Sequence, residues 1–517
     1  MRIINVKTAL LVSIAALLLV LGPWNNDKKQ ENPQERQCQA TAGSEEAIQR
    51  FSKLLTYETL ADARTPDHRA SGYEEEFTKL LNHLEEAWPE VYRGLQVEKV
   101  GLGGGSRLYT WHGRDPSLRP VLFISHFDVV PVTPGTEQDW VHPPFSGAIE
   151  DGYIWGRGAL DVKFSVAALL EAASSLLQKG FQPQRTLMMS FGNDEEVGGS
   201  GGAQLIAQYL AEKGVQLELI IDEGGLIISD GLKGVVDQPL ALVATAEKVY
   251  TSVELDLASK GGHSSMPPID KSDIASQAAR MVQAVNTEPM PGEIRPPISG
   301  FLEAISHYLN PSVDYAFVRG LLRTADKWPL NKILAQFFLR SSSELAALVR
   351  TTVAVTRVSA GVADNVLPNI GQMIFNMRAH PETPRKDVLA YLEDRMKEAN
   401  LQPGAKLQVT DASHFGPVPG VSPADGPGYK LLKQAIQEHW RHQGQGIAVA
   451  PYLLTGGTDS KHFSHLTRAI YRFVPYSVNK TAGDLRRIHS TNERVRATDF
   501  TLAVCTYARV MELLSEQ

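Results

Sequence analysis

His126 and Asp128 stand two residues apart in Ser125-His126-Phe127-Asp128. Further along come Asn193-Asp194-Glu195-Glu196, and then Asp222-Glu223 followed by Gly224 and Gly225. Asp161 closes a loop that begins at Trp155, and His489 lies near the far end in Arg487-Ile488-His489-Ser490. Imidazoles and carboxylates are nitrogen and oxygen donors, a set that suits a hard-to-borderline divalent cation. The chain has only two cysteines, Cys38 and Cys505, which excludes a disulfide framework and a cysteine-rich metal site. Any metal must therefore be held by His, Asp and Glu. Taken singly, each of these groups is more often a solvated loop residue, so their placement on the fold has to decide.

The elements that would position them alternate. Residues 120–125 form a short β-rich run between turn signals, and residues 163–180 carry apolar side chains at helical spacing. Residues 186–192 are a second apolar run, 204–214 are again helical, and 217–221 are a third strand. Strand, helix, strand, helix, strand at this spacing predicts a mainly parallel sheet flanked by helices, an α/β domain. In such sheets ligands sit beyond the carboxyl ends of the strands. Each of the three predicted strands is followed at once by one of the polar clusters, a coincidence that favours a metal site.

From about Glu247 the pattern changes. Residues 253–257 alternate as a strand, 274–285 are helical, 352–358 and 371–378 are strands, and 386–398 are a helix. A smaller α+β module inserted between two parts of the first domain fits this, with borders near 247 and 381. The stretch 301–347 is rich in helical apolar spacing and is expected to extend that module. The domain plan is thus 46–246 and 382–517 for the first domain and 247–381 for the insert. At 517 residues, two domains plus a tail is the natural expectation. The net charge of −7, with no basic stripe, gives no sign of nucleic-acid binding.

The start of the chain is different. Arg2 and Lys7 precede a mostly apolar run over 8–22. Residues 1–24 read as a signal anchor or a cleaved signal peptide, the apolar run 8–22 being shorter than the roughly 20 residues of a full span. Residues 25–45 read as a polar linker. The catalytic part is expected on the exported side, attached to the membrane through this segment or secreted if it is cleaved.

The segments Ser125–Pro131, Trp140–Gly147, Gly156–Lys163 and Asp194–Gly199 resemble the zinc metallopeptidase family of aminoacylase, carboxypeptidase S and succinyl-diaminopimelate desuccinylase. So do Gly261-Gly-His263-Ser-Ser, Asn365-Val-Leu-Pro368, Gly456-Gly-Thr-Asp459 and Ile488-His489-Ser, in the same order from about residue 45 onward. Asp222-Glu223-Gly-Gly and the apolar start look closest to the carboxypeptidase S and secreted N-acyl-amino-acid hydrolase subgroup. The resemblance implies two zinc ions per chain, with Co²⁺ able to substitute. It makes His126 a ligand of the first zinc, with Asp128 fixing its tautomer. Asp161 bridges both ions, and Glu196 and His489 complete the second. For the last ligand of the first ion, a carboxylate beside a Gly, Glu223 fits better than Asp222. Glu195 becomes the general base. His263 stabilises the oxyanion, commonly in a partner subunit of a homodimer, while Asn365 and Arg378 lie where the family binds the substrate carboxylate. The implied reaction is hydrolysis of an amide next to a free carboxylate, in an N-acyl amino acid or short peptide, by a zinc-bound hydroxide.

That arrangement is physically coherent. Two cations a few Å apart repel, and a shared carboxylate reduces the repulsion. A water bound to zinc has its pKa drawn down to about 7 and still needs a positioned base. Adjacent Glu195 and Glu196 can point one to water and one to metal. Gly198-Gly-Ser200-Gly-Gly202 matches the G-x-S-x-G of serine hydrolases, which makes a serine esterase on Ser200 the alternative. A non-catalytic ectodomain of the same fold is another, but every expected ligand position is filled. Gly101–Gly105 resembles a phosphate loop without its Lys-Ser/Thr ending and is expected to be a turn.

Overall fold

The computed structural model describes residues 44–409 and 420–516. The expected anchor and nearly all of the linker lie outside these residues. Among the described residues no helix is long and apolar enough to cross a membrane.

The first sheet begins with the strands Gln96–Val100 and Ser106–Trp111. Its centre is built by β1 (Val121–His126), β2 (Leu187–Gly192) and β3 (Leu219–Asp222), followed by β4 (Leu240–Glu247). The chain then runs through a second sheet of β5 (Val249–Ala258), β6 (Thr352–Ala360), β7 (Ile370–Ala379) and β8 (Lys406–Val409). It returns to the first sheet as β9 (Ala448–Leu454) and β10 (Ile470–Arg472). Through its centre the first sheet reads Ser106–Trp111, β2, β1, β3, β10, β4. β1 runs parallel to β2 and β3, and β10 parallel to β3. The strand Ser106–Trp111 joins β2 antiparallel, and β4 joins β10 antiparallel.

Every residue of β1 and β2 is buried, because both sheet faces are covered. Val121 and Phe123 point into the core cluster formed with α1 (Lys163–Gln178) and the C-terminal helix Ala497–Ser515. Leu122 and Ile124, one residue out of phase, meet Ile206 and Leu210 of α2 (Ala203–Glu212) on the other face. The predicted strand–helix alternation is therefore present, and β2, β1 and β3 end side by side.

The second sheet is antiparallel in the order β6-β7-β5-β8. One face, with Val253, Leu255, Met373, Phe375 and Met377, packs on α3 (Ile274–Thr287) and α4 (Arg385–Glu398). α4 and β8 lie beyond the expected border at 381, yet both belong to this packing unit. The helices between Ile298 and Val349 behave in the opposite way. Their Ile298, Leu302, Ile305, Leu334 and Val349 cluster with Leu240 and Ala246 of β4 and Ala448, Ala450 and Leu453 of β9. They cover the first sheet rather than extending the insert.

Candidate metal centre

The residue that ends β1, His126, is 1% exposed. Its Nδ1 lies 3.0 Å from the backbone oxygen of Asp128 and 3.4 Å from Asp128 Oδ1. The carbonyl is thus the nearer acceptor. The Asp128 carboxylate instead accepts the backbone N–H of Glu195 at 3.2 Å and of Glu196 at 3.0 Å. It ties the end of β1 to the turn after β2, so the two acids are presented from a fixed backbone.

Asp161 divides its carboxylate between two histidines. Oδ1 is 3.3 Å from His126 Nε2, and Oδ2 is 3.0 Å from His489 Nε2. His126 Nε2 also lies 3.3 Å from Glu223 Oε1, and His489 Nε2 lies 3.3 Å from Glu196 Oε2. Two half-sites result, His126 with Glu223 and His489 with Glu196, sharing Asp161. His489 takes φ +59°, a left-handed conformation in which His is enriched among non-glycine residues. Asp222 has other work: Oδ1 accepts the N–H of Glu223 at 2.8 Å and Oδ2 that of Ser460 at 3.0 Å. Of the two acids, Glu223 is the one that reaches the cluster.

The donor set fits divalent cations. His126, Asp161 and Glu196 offer ligand atoms within 4.8 Å of one another, and so do His126, Glu195 and Glu223. Burial, with Asp161 close by, pushes Glu223 up to about 8 and Glu196 up to about 6. Burial and Glu223 hold Glu195 well above the usual carboxylate range. Hydrogen bonds to Asp161 and Glu196 raise His489 to about 10. Without a metal, such a crowd of buried acids balances its charge only by holding protons. Cations among them would take the place of those protons. Glu196 Oε1 has no hydrogen-bond partner in this set, a free lone pair for a ligand bond.

The remaining expected residues lie elsewhere. His263 pairs with Val366 at the tip of the insert, is exposed, and has Nδ1 2.8 Å from Ser265 Oγ. Asn365 is exposed beside it, its carbonyl accepting the N–H of Ser264 at 3.2 Å. Arg378 sits at the other end of β7, its guanidinium 4.6 Å from the centre of the Tyr250 ring. Among the described residues, none of the hydrogen bonds or ion pairs of the cluster includes these three. Ser200 is exposed in the turn that opens α2.

Three supports escaped the sequence reading. Glu493 is fully buried and accepts the N–H groups of Gly158, Leu160 and Asp161 at 3.1, 2.6 and 3.1 Å, plus Arg157 Nη1 at 2.8 Å. It holds the loop that carries Asp161. Asp194 accepts from His68 Nδ1 at 2.7 Å and from the N–H of Gly201 at 2.6 Å, bracing the Glu195–Glu196 turn from behind. Asp459 is buried so tightly that a Cβ on Gly199 would come 1.9 Å from its Oδ1. The signal for Glu493 was its position four residues after a candidate ligand; Asp194 and Asp459 stood inside motifs already noted.

The model of peptidase family M20/M25/M40 matches residues 122–513. N-fatty-acyl-amino acid synthase/hydrolase PM20D1 of Xenopus tropicalis is 34% identical over 433 residues, covering 83% of this chain and 79% of that protein. Carboxypeptidase S of Saccharomyces cerevisiae is 31% identical over 478 residues, covering 87% of this chain and 81% of that protein. Among solved structures, the M20 family metallo-carboxypeptidase Sso-CP2 from Sulfolobus solfataricus superposes with a TM-score of 0.61 at 18% identity, over 92% of this chain and 100% of that one.

Proposed function

The chain belongs to peptidase family M20/M25/M40, and from that premise we propose that it hydrolyses the amide bond of an N-acyl amino acid or short peptide next to a free carboxylate. The names of its relatives, an N-fatty-acyl-amino acid synthase/hydrolase and carboxypeptidase S, describe enzymes acting at such a bond. The observation that carries the metal part is Asp161, with one oxygen turned to His126 and the other to His489. It supports two zinc ions, one of which would be held by His126, Asp161 and Glu223 and the other by Asp161, Glu196 and His489. When bound, they would supply Lewis acidity, polarising the scissile carbonyl and making a nearby water more acidic. Glu195 takes a proton from the attacking water and passes it to the leaving nitrogen. Asp128 keeps that base in place through the backbone of its turn.

Purified protein saturated with zinc should approach two metals per chain. Activity on N-acyl amino acids or dipeptides should vanish with chelator and return with Zn²⁺ or Co²⁺. Full activity after long incubation in excess chelator would overturn the metal reading. Export through the segment 8–22 belongs to the same proposal, and a cell fractionation that finds the protein with cytosolic markers would remove it.

The geometry favours a homodimer. Between Ile370 and Arg378 the strand β7 spans on the order of 25 Å at roughly 3.3 Å per residue. Asn365 and Arg378 of one chain therefore cannot hold one carboxylate together. The exposed tip with His263 and Asn365 suits donation to the neighbouring site, where the partner's His263 would hydrogen-bond the oxyanion. β6 is an exposed edge strand able to meet a second copy. His263→Ala should cut kcat by about 10²–10³ with little change in KM. Mixed with Glu195→Gln chains under conditions of subunit exchange, it should recover about a quarter of wild-type activity per chain, since half the dimers carry one complete site. Verified heterodimers with no recovered activity would show that His263 acts within its own chain or not at all.

A further inference from the structure

The helices that cover the first sheet carry a second apolar face. Helix Ala316–Arg323 has no buried residue, and its Leu321 and Leu322 rest half-buried on the cluster of Ile298, Leu302 and Leu334. Helix Leu330–Ser341 seats Leu334 and Phe338 on the same cluster. The remaining face of such a surface helix is ordinarily polar. Here Tyr315 is 63% exposed, Phe317 66%, Trp328 81% and Ile333 52%. Ile333, half-buried Phe337 and exposed Arg340 stand at i, i+4 and i+7, so they form one stripe beside the packed one. Among the described residues four aromatic side chains are exposed, and three of them lie between 315 and 328. The fourth, Tyr250, is faced by the Arg378 guanidinium. Single exposed apolar residues need no explanation, but a concentration of this kind marks an interaction surface.

The charge around it is basic. Residues 314–341 hold five basic side chains and two acidic ones, a net charge of +3 in a chain whose total is −7. Asp314 pairs with Arg319, Asp326 with Lys327 at 3.0 Å, and Glu293 with Lys332 at 2.8 Å. Arg323 and Arg340 have no acid partner among the described residues. We propose that this face docks on the headgroup layer of an anionic phospholipid bilayer, with Phe317, Trp328 and Ile333 entering the acyl boundary. Trp and Tyr settle at the headgroup level, where an apolar ring and a polar edge are both satisfied. Lys and Arg bury their stems and keep their charges at the lipid phosphates. A protein partner fits this composition less well, since Lys is depleted at protein interfaces. The two helices have 8 and 12 residues, short of the roughly 20 of a span, so they would lie in the plane of the interface. The proposal stands on this surface alone and depends neither on the amide-hydrolase reading nor on the segment 8–22.

The test mixes the full chain with vesicles of phosphatidylcholine, with and without phosphatidylglycerol, whose acyl chains are brominated, and reads tryptophan emission. Bromine quenches rings that reach the chains. Wild type should be quenched more than Trp328→Phe, a difference that isolates Trp328 from the other tryptophans and from any insertion of the start of the chain. The difference should require phosphatidylglycerol and fade at about 1 M salt, where the Debye length is about 3 Å. On an Ile333→Asp background it should vanish while Tm in solution stays that of the wild type. Equal quenching of wild type and Trp328→Phe on the anionic vesicles would overturn the proposal, and so would a difference that persists undiminished without phosphatidylglycerol. If this face instead meets a second copy, Ile333→Asp would turn a dimer into a monomer in solution and Trp328 would show no quenching, which also overturns it. Should Ile333→Asp fail to fold, the Trp328→Phe comparison decides by itself.

Discussion

Glu195→Gln will lower kcat by about 10²–10⁴ and leave metal content near that of the wild type. The substitution keeps the size of the side chain and removes its basicity. Its backbone N–H stays bonded to Asp128 Oδ1, so the turn need not move. The neighbouring acid makes the control. Glu196 faces His489 at 3.3 Å and carries an unpartnered Oε1, so Glu196→Gln should weaken metal binding first and lose activity through it. Excess zinc should then rescue Glu196→Gln in part and Glu195→Gln not at all. Near-wild-type kcat in Glu195→Gln, or equal rescue of both variants by zinc, would sink this division of labour.

The contrast between the two acids was readable in the sequence only because of where the strands end. β1, β2 and β3 are parallel and covered on both sides, so each is an apolar run that turns polar at its carboxyl end. His126 closes β1, the 193–196 turn with Glu195 and Glu196 follows β2, and Glu223 follows β3, which made these positions legible in the sequence. Asp128 was legible as a neighbour of His126. Its grip on the N–H groups of the 195–196 turn was not, since that bond joins two different strand ends. Glu493 reaches back across 336 residues to Arg157, a pairing with no local periodicity to announce it. The borders of the insert were hidden for the same reason. β8 is a short strand whose membership is decided by its partner β5, and the helices from 298 to 349 carry the same apolar spacing whichever sheet they cover.

Asp161→Asn is expected to have the largest effect of any single substitution, lowering activity by about 10³-fold or more, because it removes an anionic ligand from both half-sites at once. Loss of Glu223 or of Glu196 would impair one half-site, whereas Asp161 faces both histidines. The loss should also appear without any substrate. A ligand that binds only the folded chain stabilises it by about 4 kcal/mol at a thousandfold excess over Kd, so zinc should raise the Tm of the wild type clearly. In Asp161→Asn that rise should be small, and metal content should fall below two per chain even at high zinc. Glu493→Gln separates the bridge from its mounting. Glu493 holds the N–H of Asp161 and those of Gly158 and Leu160, so its loss should lower Tm in chelator as well as in zinc. The side chain of Asp161 makes no such backbone contacts in its own loop, and its removal should show mainly in the zinc-dependent part of Tm. If Asp161→Asn bound two zinc ions with an undiminished Tm rise and kept activity within tenfold of wild type, the cluster would not be built around a shared carboxylate, and the two half-sites would have to be assigned independently.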